Sequence, residues 1–508
     1  MGAAINRPAI TICVMLATIM QALDTTIANV ALPYMQGTLS ASQDQINWVL
    51  TSYIVAAAIM TPPTGWLAAR FGRTRLFLFA VGGFTIASAL CGLAQSLDQM
   101  VLFRLLQGVF GASLVPLSQA VLLDINPREK QGSAMAIWGV GVMVGPILGP
   151  TLGGWLTENY DWRFVFFINI PIGIITLFGI ASFLPETRRA FAGRFDWFGF
   201  SMLSIGIGAF QLMLDRGEQL DWFSSTEIIV ETVIGCVGLY LFLVQLLTGE
   251  KPFVSLRLFK DRNFVVGIIF IFVVGIILLA TLALLTPYLQ TMMGYPVVDA
   301  GMVLAPRGGG TMLAMLLAGR VIDKMDVRWI ILFGLVITAH ALWVMTGFTP
   351  AIPESTIVYT GFEQGLGLGF VFVPLSTVTF STLTAELRTE GTGIYALCRN
   401  IGSSIGISVV MTLLQNNTQR NHAEITGYVT PFNHLFQSGM ASQMWNPLTP
   451  AGRAALDGTI TQQAMAIAYL DDFKFMMLIS LVVMPLVLLF RRPKQAEAPS
   501  PAHAAVME

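Results

Sequence analysis

The side chains best placed for chemistry are charged groups buried in apolar runs: Asp24 in LDTTIANVALP, Arg104 in FRLLQGVFGA and Glu363 in TGFEQGLGLGF. An ionised aspartate at the centre of a membrane span costs about 2.5–3.5 kcal/mol. Asp24 is therefore expected to be neutral, paired, or open to a water-filled cavity. A carboxyl group in apolar surroundings holds its proton more readily than one in water, which suits a proton carrier. The bland alternative is a structural carboxyl that only hydrogen-bonds a neighbouring helix. Arg104 and Gln107 share a helix face at i,i+3, with Gly108 leaving room beside them. A buried guanidinium needs acceptors, which Asp24 or a backbone carbonyl could supply; the alternative is a plain helix clamp. Glu363 is a second candidate proton or cation site, or, from its place in the outer half of its span, a rim residue.

Other polar groups point to less. Arg307 and Arg399 are placed near the inner ends of their spans, where arginine snorkels to the interface. His340 is expected to be a satisfied core histidine. His422 and His434 have no Cys, Asp or Glu at ligand spacing, so no metal is expected. The chain has no GxxxxGK[ST], no nucleophile elbow and no HExxH. Neither an enzyme nor a cofactor is indicated, and any transport would draw on an ion gradient.

The elements that must hold these residues are membrane helices. The sequence is 55% hydrophobic and 11% charged, where a soluble domain carries about 25% charged residues. A span needs about 20 mostly apolar residues. That criterion gives fourteen, near 9–33, 46–67, 76–93, 100–123, 133–156, 164–184, 198–214, 228–247, 264–289, 300–319, 329–348, 356–380, 391–414 and 473–490. The opening MGAAINRPAI leads into the first span and not into a cleavage site. All four cysteines lie in apolar runs, so no disulfide is expected. With the N-terminus inside, 20 of the 28 Lys and Arg residues fall on inner segments, 5 on outer ones and 3 within spans. Lysine and arginine mark the cytoplasmic side, so both termini are expected there. Net charge of −1 offers nothing to nucleic acid.

GWLAARFGR after span 2 recurs in outline as GRVIDKMDVR after span 10. Two six-span halves with two inserted spans account for this, and repeated halves typify transporters with a site near the midplane. The expected units are 1–185, 186–263 and 264–490, the last with a long outer loop at 415–472, followed by a tail at 491–508. In span 5, Gly141, Gly145, Gly149 and Gly153 fall every fourth residue, with Pro146 and Pro150 between them. Each glycine lies only about 40° round from the last. They form a winding stripe without side chains, against which another helix can pack closely, while the prolines favour a bend.

These segments together resemble the fourteen-span drug:proton antiporters of the major facilitator superfamily, most closely the EmrB type. LDTTIANVALP is similar to the span-1 signature, GWLAARFGRTRLF to the loop motif, and RLLQGVFGA to the span-4 motif. GVMVGPILGPTLGGW is similar to the span-5 antiporter motif, and DWRFVFFINIPIG to the entry into span 6. The second half resembles the family more loosely, through GRVIDKMDVR and RNIGSSIG. The resemblance implies an all-α membrane protein of major facilitator fold. It further implies proton-driven export of hydrophobic or amphipathic small molecules from the inner membrane, by alternating access. Asp24 and Glu363 would couple protons. Arg104, Gln107, Arg70, Arg73, Asp323 and Arg399 would serve charge and gating roles. Partners would be lipophilic substrates, protons, the bilayer, a periplasmic adaptor of the membrane-fusion type and an outer-membrane channel. The loop motif usually carries an aspartate where this chain has Ala69, while the second copy keeps Asp323. A nutrient or metabolite symporter on the same fold is the alternative; importers generally lack the Gly-Pro motif.

Overall fold

The computed structural model describes residues 6–127, 130–186, 194–249, 252–322, 324–430, 445–446 and 449–491. Asp323, the centre of the outer connection and the tail lie outside them, as does the side chain of Pro150. Helices α1 to α6 are Arg7–Thr38, Trp48–Met60, Arg73–Leu93, Leu97–Ile125, Gln131–Asn159 and Phe164–Phe183. The inserted pair is α7, Trp197–Arg216, and α8, Thr226–Thr248. Helices α9 to α14 are Arg262–Met292, Val297–Val321, Val327–Met345, Glu354–Ser381, Ala385–Tyr428 and Pro450–Leu489. Thirteen are long and apolar enough to cross a membrane. The short α2 is continued past Thr61–Pro63 by Thr64–Phe71, which completes the fourteenth crossing.

Local sequence sets the helix ends. Ser96 accepts from Gln99 N at the start of α4 (3.3 Å), Asp196 from Gly199 N at the start of α7 (2.8 Å), and Asp261 from Phe264 N at the start of α9 (2.9 Å). Each side chain satisfies a backbone donor that the first helical turn leaves free. Gly72, at φ 91°, makes the turn between the continuation of α2 and α3. A side chain there would be strained.

Large apolar side chains such as Phe77, Phe84, Trp138, Phe270, Phe380 and Phe473 fill the interior. Others, including Phe79, Phe178 and Tyr240, cover the flanks, as expected where lipid and not water is the solvent. Helix α8 packs almost wholly on α7, while α7 reaches both α2 and α13. The inserted pair thus sits at the edge of the bundle, against the seam between the halves.

Both ends of the folded chain lie on one face, called here the terminal face. There Asn263, at the start of α9, exchanges hydrogen bonds with the backbone of Arg491 (3.0 and 2.8 Å). On the opposite, distal face, the expected long loop proves largely helical. Helix α13 continues to Tyr428 and α14 begins at Pro450. At 44 residues and 1.5 Å per residue, α13 is about 66 Å long, roughly twice the hydrocarbon thickness. The two arms are tied by Asn421 Nδ2 to Ala464 O (3.4 Å) and His422 Nε2 to Asp457 Oδ1 (3.0 Å). A hydropathy criterion finds apolar crossings and passes over a polar helix pair such as this one.

Candidate functional site

Asp24 is fully buried in the first half, where α1, α3, α4 and α6 converge. Its Oδ2 accepts from Arg104 Nη1 at 2.6 Å. Its Oδ1 accepts from Gln107 Nε2 at 2.8 Å and from Asn169 Nδ2 at 3.0 Å. Arg104 in turn donates through Nε to Val49 O (3.1 Å) and through Nη1 to Gln107 Oε1 (2.8 Å). Its guanidinium lies 4.4 Å from the centre of the Tyr53 ring, a cation–π contact. Asn169 is itself held by Ser88 Oγ at 3.0 Å. The i,i+3 spacing on α4 therefore aims Arg104 and Gln107 at one carboxylate on α1, as the sequence leads one to expect. Through these bonds Asp24 ties α1 to α4 and α6.

Sequence reading missed Asn169, Ser88 and Tyr53. Asn169 had a usable signal, as the one polar residue in the apolar run FVFFINIPIG.

The glycine stripe belongs to the same site. An added Cβ at Gly141 would lie 3.2 Å from Met15, and at Gly153 2.8 Å from Ile27. At Gly145 it would strike the backbone of Ala22, and at Gly149 the side chain of Thr26. All four glycines thus face α1, on both sides of Asp24, and Thr26 Oγ1 donates to Gly145 O (3.0 Å). Helix α5 runs unbroken through Pro146 and Pro150. Its other face meets the second half: Gly139 lies against Met315, Gly132 against Ile322, and Ile147 against Gly308. One helix therefore touches both the Asp24 helix and the opposite half.

The terminal face is closed. Asp124, at the end of α4, pairs with Arg73 and with Arg388 Nη1 of α13, the latter at 2.8 Å. Arg388 also donates to Leu123 O (3.2 Å), Thr392 Oγ1 to Pro116 O (3.0 Å) and Ser133 Oγ to Gly319 O (3.1 Å). Among the described residues, every direct hydrogen bond between the two six-helix halves lies on this face. Arg73 pairs with Asp124, an acid at the end of α4, far in sequence from the loop position that Ala69 occupies. Arg70 is exposed beside it, and Asp323 lies outside the described residues.

Residues 14–407 match the Major Facilitator Superfamily. The chain belongs to that superfamily. It is 40% identical over 436 residues to the multidrug export protein EmrB of Escherichia coli strain K12, covering 85% of each chain. It is 37% identical over 493 residues to the fatty acid resistance protein FarB of Neisseria gonorrhoeae, covering 95% of this chain and 96% of that one. The crystal structure of the human organic anion transporter MFSD10 (TETRAN) superposes with a TM-score of 0.60 at 15% identity, over 94% of this chain and all of that one. The last likeness shows the superfamily's fold.

The second half of this superfamily fold is not a copy of the first at its centre. Gln364 Nε2 of α12 donates to Thr281 Oγ1 of α9 (3.1 Å). The same pair of helices in the first half carries Gln107 and Asp24. A threonine thus stands where the first half has its carboxylate. Glu363 does not join Asp24; it pairs with His340 Nδ1 at 2.6 Å, and the histidine side chain is 54% exposed. His340 is therefore not a core residue: it projects from α11 beside Glu363. Arg307 corrects its expectation too. It lies nearer the distal start of α10 than the terminal end, is buried, and donates through Nη2 to Leu278 O (3.0 Å). Snorkelling is ruled out by that burial. Arg399 is half-buried on α13 and makes no ion pair among the described residues.

Two expected results follow. Arg388→Gln removes charge-assisted bonds worth about 1.5–3 kcal/mol. It should raise labelling of a cysteine introduced at Thr392 by an impermeant maleimide about tenfold. Glu363→Gln, which removes the pair with His340 and leaves the Asp24 cluster untouched, should change export less than about fivefold, measured as dye efflux.

Proposed function

We propose that this protein is a proton-driven exporter of hydrophobic and amphipathic small molecules, working by alternating access in the inner membrane with both termini in the cytoplasm. The observation that carries the reading is the fully buried Asp24 with its three donors, on a helix packed against the Gly-Pro stripe of α5. A proton arriving at Asp24 cancels its charge and loosens the hold of Arg104 and Gln107 on α1. Helix α5, lodged between α1 and α10, passes that change to the other half. The pair of Asp124 with Arg388 must break when the cavity opens to the terminal face. If cargo and proton cannot occupy the cavity together, the release of one admits the other, and exchange results.

The similarity to multidrug export proteins supports a broad lipophilic substrate range, and that to FarB adds fatty acids as cargo to try. The helical arms of α13 and α14 reach beyond the membrane on the distal side, and we assign them to docking of a periplasmic adaptor that leads to an outer-membrane channel. Vesicles carrying the protein should accumulate or expel a lipophilic dye when a proton gradient is imposed. Dye movement insensitive to collapse of that gradient would overturn the reading.

A further inference from the structure

One buried acid takes no part in the site above. Asp472 lies on α14 with no exposed surface, and neither of its carboxyl oxygens has a hydrogen-bond partner among the described residues. Asp24, equally buried, has three donors. A carboxylate without partners in such a place is costly enough that the group binds a proton instead. The closed arrangement seen here therefore suits Asp472 only in its neutral form.

Its surroundings mark a place that can move. Asp472 is near the distal face, level with the ends of α9 and α11. Tyr469, one turn earlier, and the adjacent Phe473 both pack on Tyr288 of α9, with ring centroids 5.2 and 6.5 Å apart. Phe348, just past α11, closes the cluster at 6.1 Å from Phe473. The Tyr288 hydroxyl is buried without a hydrogen-bond partner among the described residues. Tyr288 also begins a five-residue π-helical stretch, Tyr288–Met292, directly after Pro287 within the helix. Prolines and π-turns are where helices bend, and π-turns recur at functional sites. Among the described residues, no base hydrogen-bonds the carboxyl. Helix α13 carries no titratable side chain between Arg399 and Arg420. On α11 the one titratable group near the distal end is His340, turned to Glu363. On α14 the neighbouring groups are Tyr469, Asp471 and Lys474, the last exposed, and on α9 the one nearby is Tyr288.

We propose that Asp472 is a second proton-binding site, reached from the distal face, which gives up its proton only when the junction of α9, α11 and α14 opens. The bond balance is simple: the carboxyl O–H breaks, the proton passes to water entering from the distal side, and Tyr288 and Tyr469 supply hydroxyls to the carboxylate left behind. Because α9 is the second half's counterpart of α1, each half would then have a carboxyl bearing on its first helix. The inference rests on the export reading for its role in transport, but its test does not need cargo.

The test is infrared difference spectroscopy of the full chain in lipid, stepping from acidic to alkaline pH, for the native protein, Asp472→Asn and Asp24→Asn. Asparagine matches the neutral acid in shape, so Asp472→Asn should fold, which monodisperse elution checks. A protonated-carboxyl band should fade on alkalisation in the native protein and in Asp24→Asn, and be missing in Asp472→Asn. Substituting Tyr288→Phe should shift the pH at which it fades. If the band persists in Asp472→Asn, or if the band lost in that variant never titrates in the native protein, Asp472 is a structural residue and the proposal fails. Loss of gradient-driven export by the native protein would instead strike at the reading of function and leave this result standing.

Discussion

Asp24→Asn is expected to abolish gradient-driven export, by at least about 100-fold, while the protein still enters the membrane. The substitution leaves no group beside Arg104 that can alternate between charged and neutral, and it strands the Arg104 guanidinium, which is 1% exposed. Removing one partner of a buried ion pair costs about 3–5 kcal/mol, and every 1.4 kcal/mol is about tenfold. A second variant separates coupling from folding. Replacing both partners by apolar residues, Asp24→Leu with Arg104→Met, removes the stranded charge and should recover much of the stability. It should not recover coupling. Thermal unfolding in detergent reads the first effect and dye efflux the second. If Asp24→Asn transported like the native protein, Asp24 would be only a helix tie.

The second large effect is expected at the stripe. Gly145→Val sets a branched side chain against the backbone of Ala22, one turn from Thr26 and two residues from Asp24. Backbone cannot yield as the tip of a flexible side chain can, and overpacking of this kind costs about 1–3 kcal/mol or more. Helices α1 and α5 must separate, and the Thr26 to Gly145 bond breaks with them. Export should fall by more than about tenfold with insertion intact. Gly154→Ala is the control: the nearest atom to its added Cβ is a Val298 methyl at 3.5 Å, an ordinary contact, and export should be unchanged. Equal effects at the two positions would reduce the stripe to general packing.

The features legible in the sequence are those with a period or a forbidden environment. Fourteen crossings follow from apolar length and charge alternation, and the stripe follows from glycines four apart. Asp24 and Arg104 stand out because charge does not belong inside a span. Which helix the stripe would face was not legible, since periodicity describes one helix and its partner is chosen by the fold. The same holds for Asp124, which sits in a loop-end sequence typical of any helix terminus yet joins Arg73 to Arg388 across the seam between halves. His340 and Glu363 are 23 positions apart, on different helices, and only the packing of α11 on α12 reveals them as a pair. The arms of α13 and α14 escaped because polar helices stabilised by each other lack the apolar stripe that betrays a surface helix. Arg307 was misplaced because snorkelling is a statement about depth, and depth needs the helix start that Pro296 supplies as the cap of α10.

The central claim is that cargo and proton move in opposite directions through a cycle that runs on Asp24. The most direct measurement traps a pH-sensitive dye inside vesicles containing the protein and imposes a cargo gradient with no initial proton gradient. Cargo flowing down its gradient should drive protons the other way, and the signal should vanish in Asp24→Asn. Protons moving with the cargo would make the protein a symporter, and protons not moving at all would contradict the account outright.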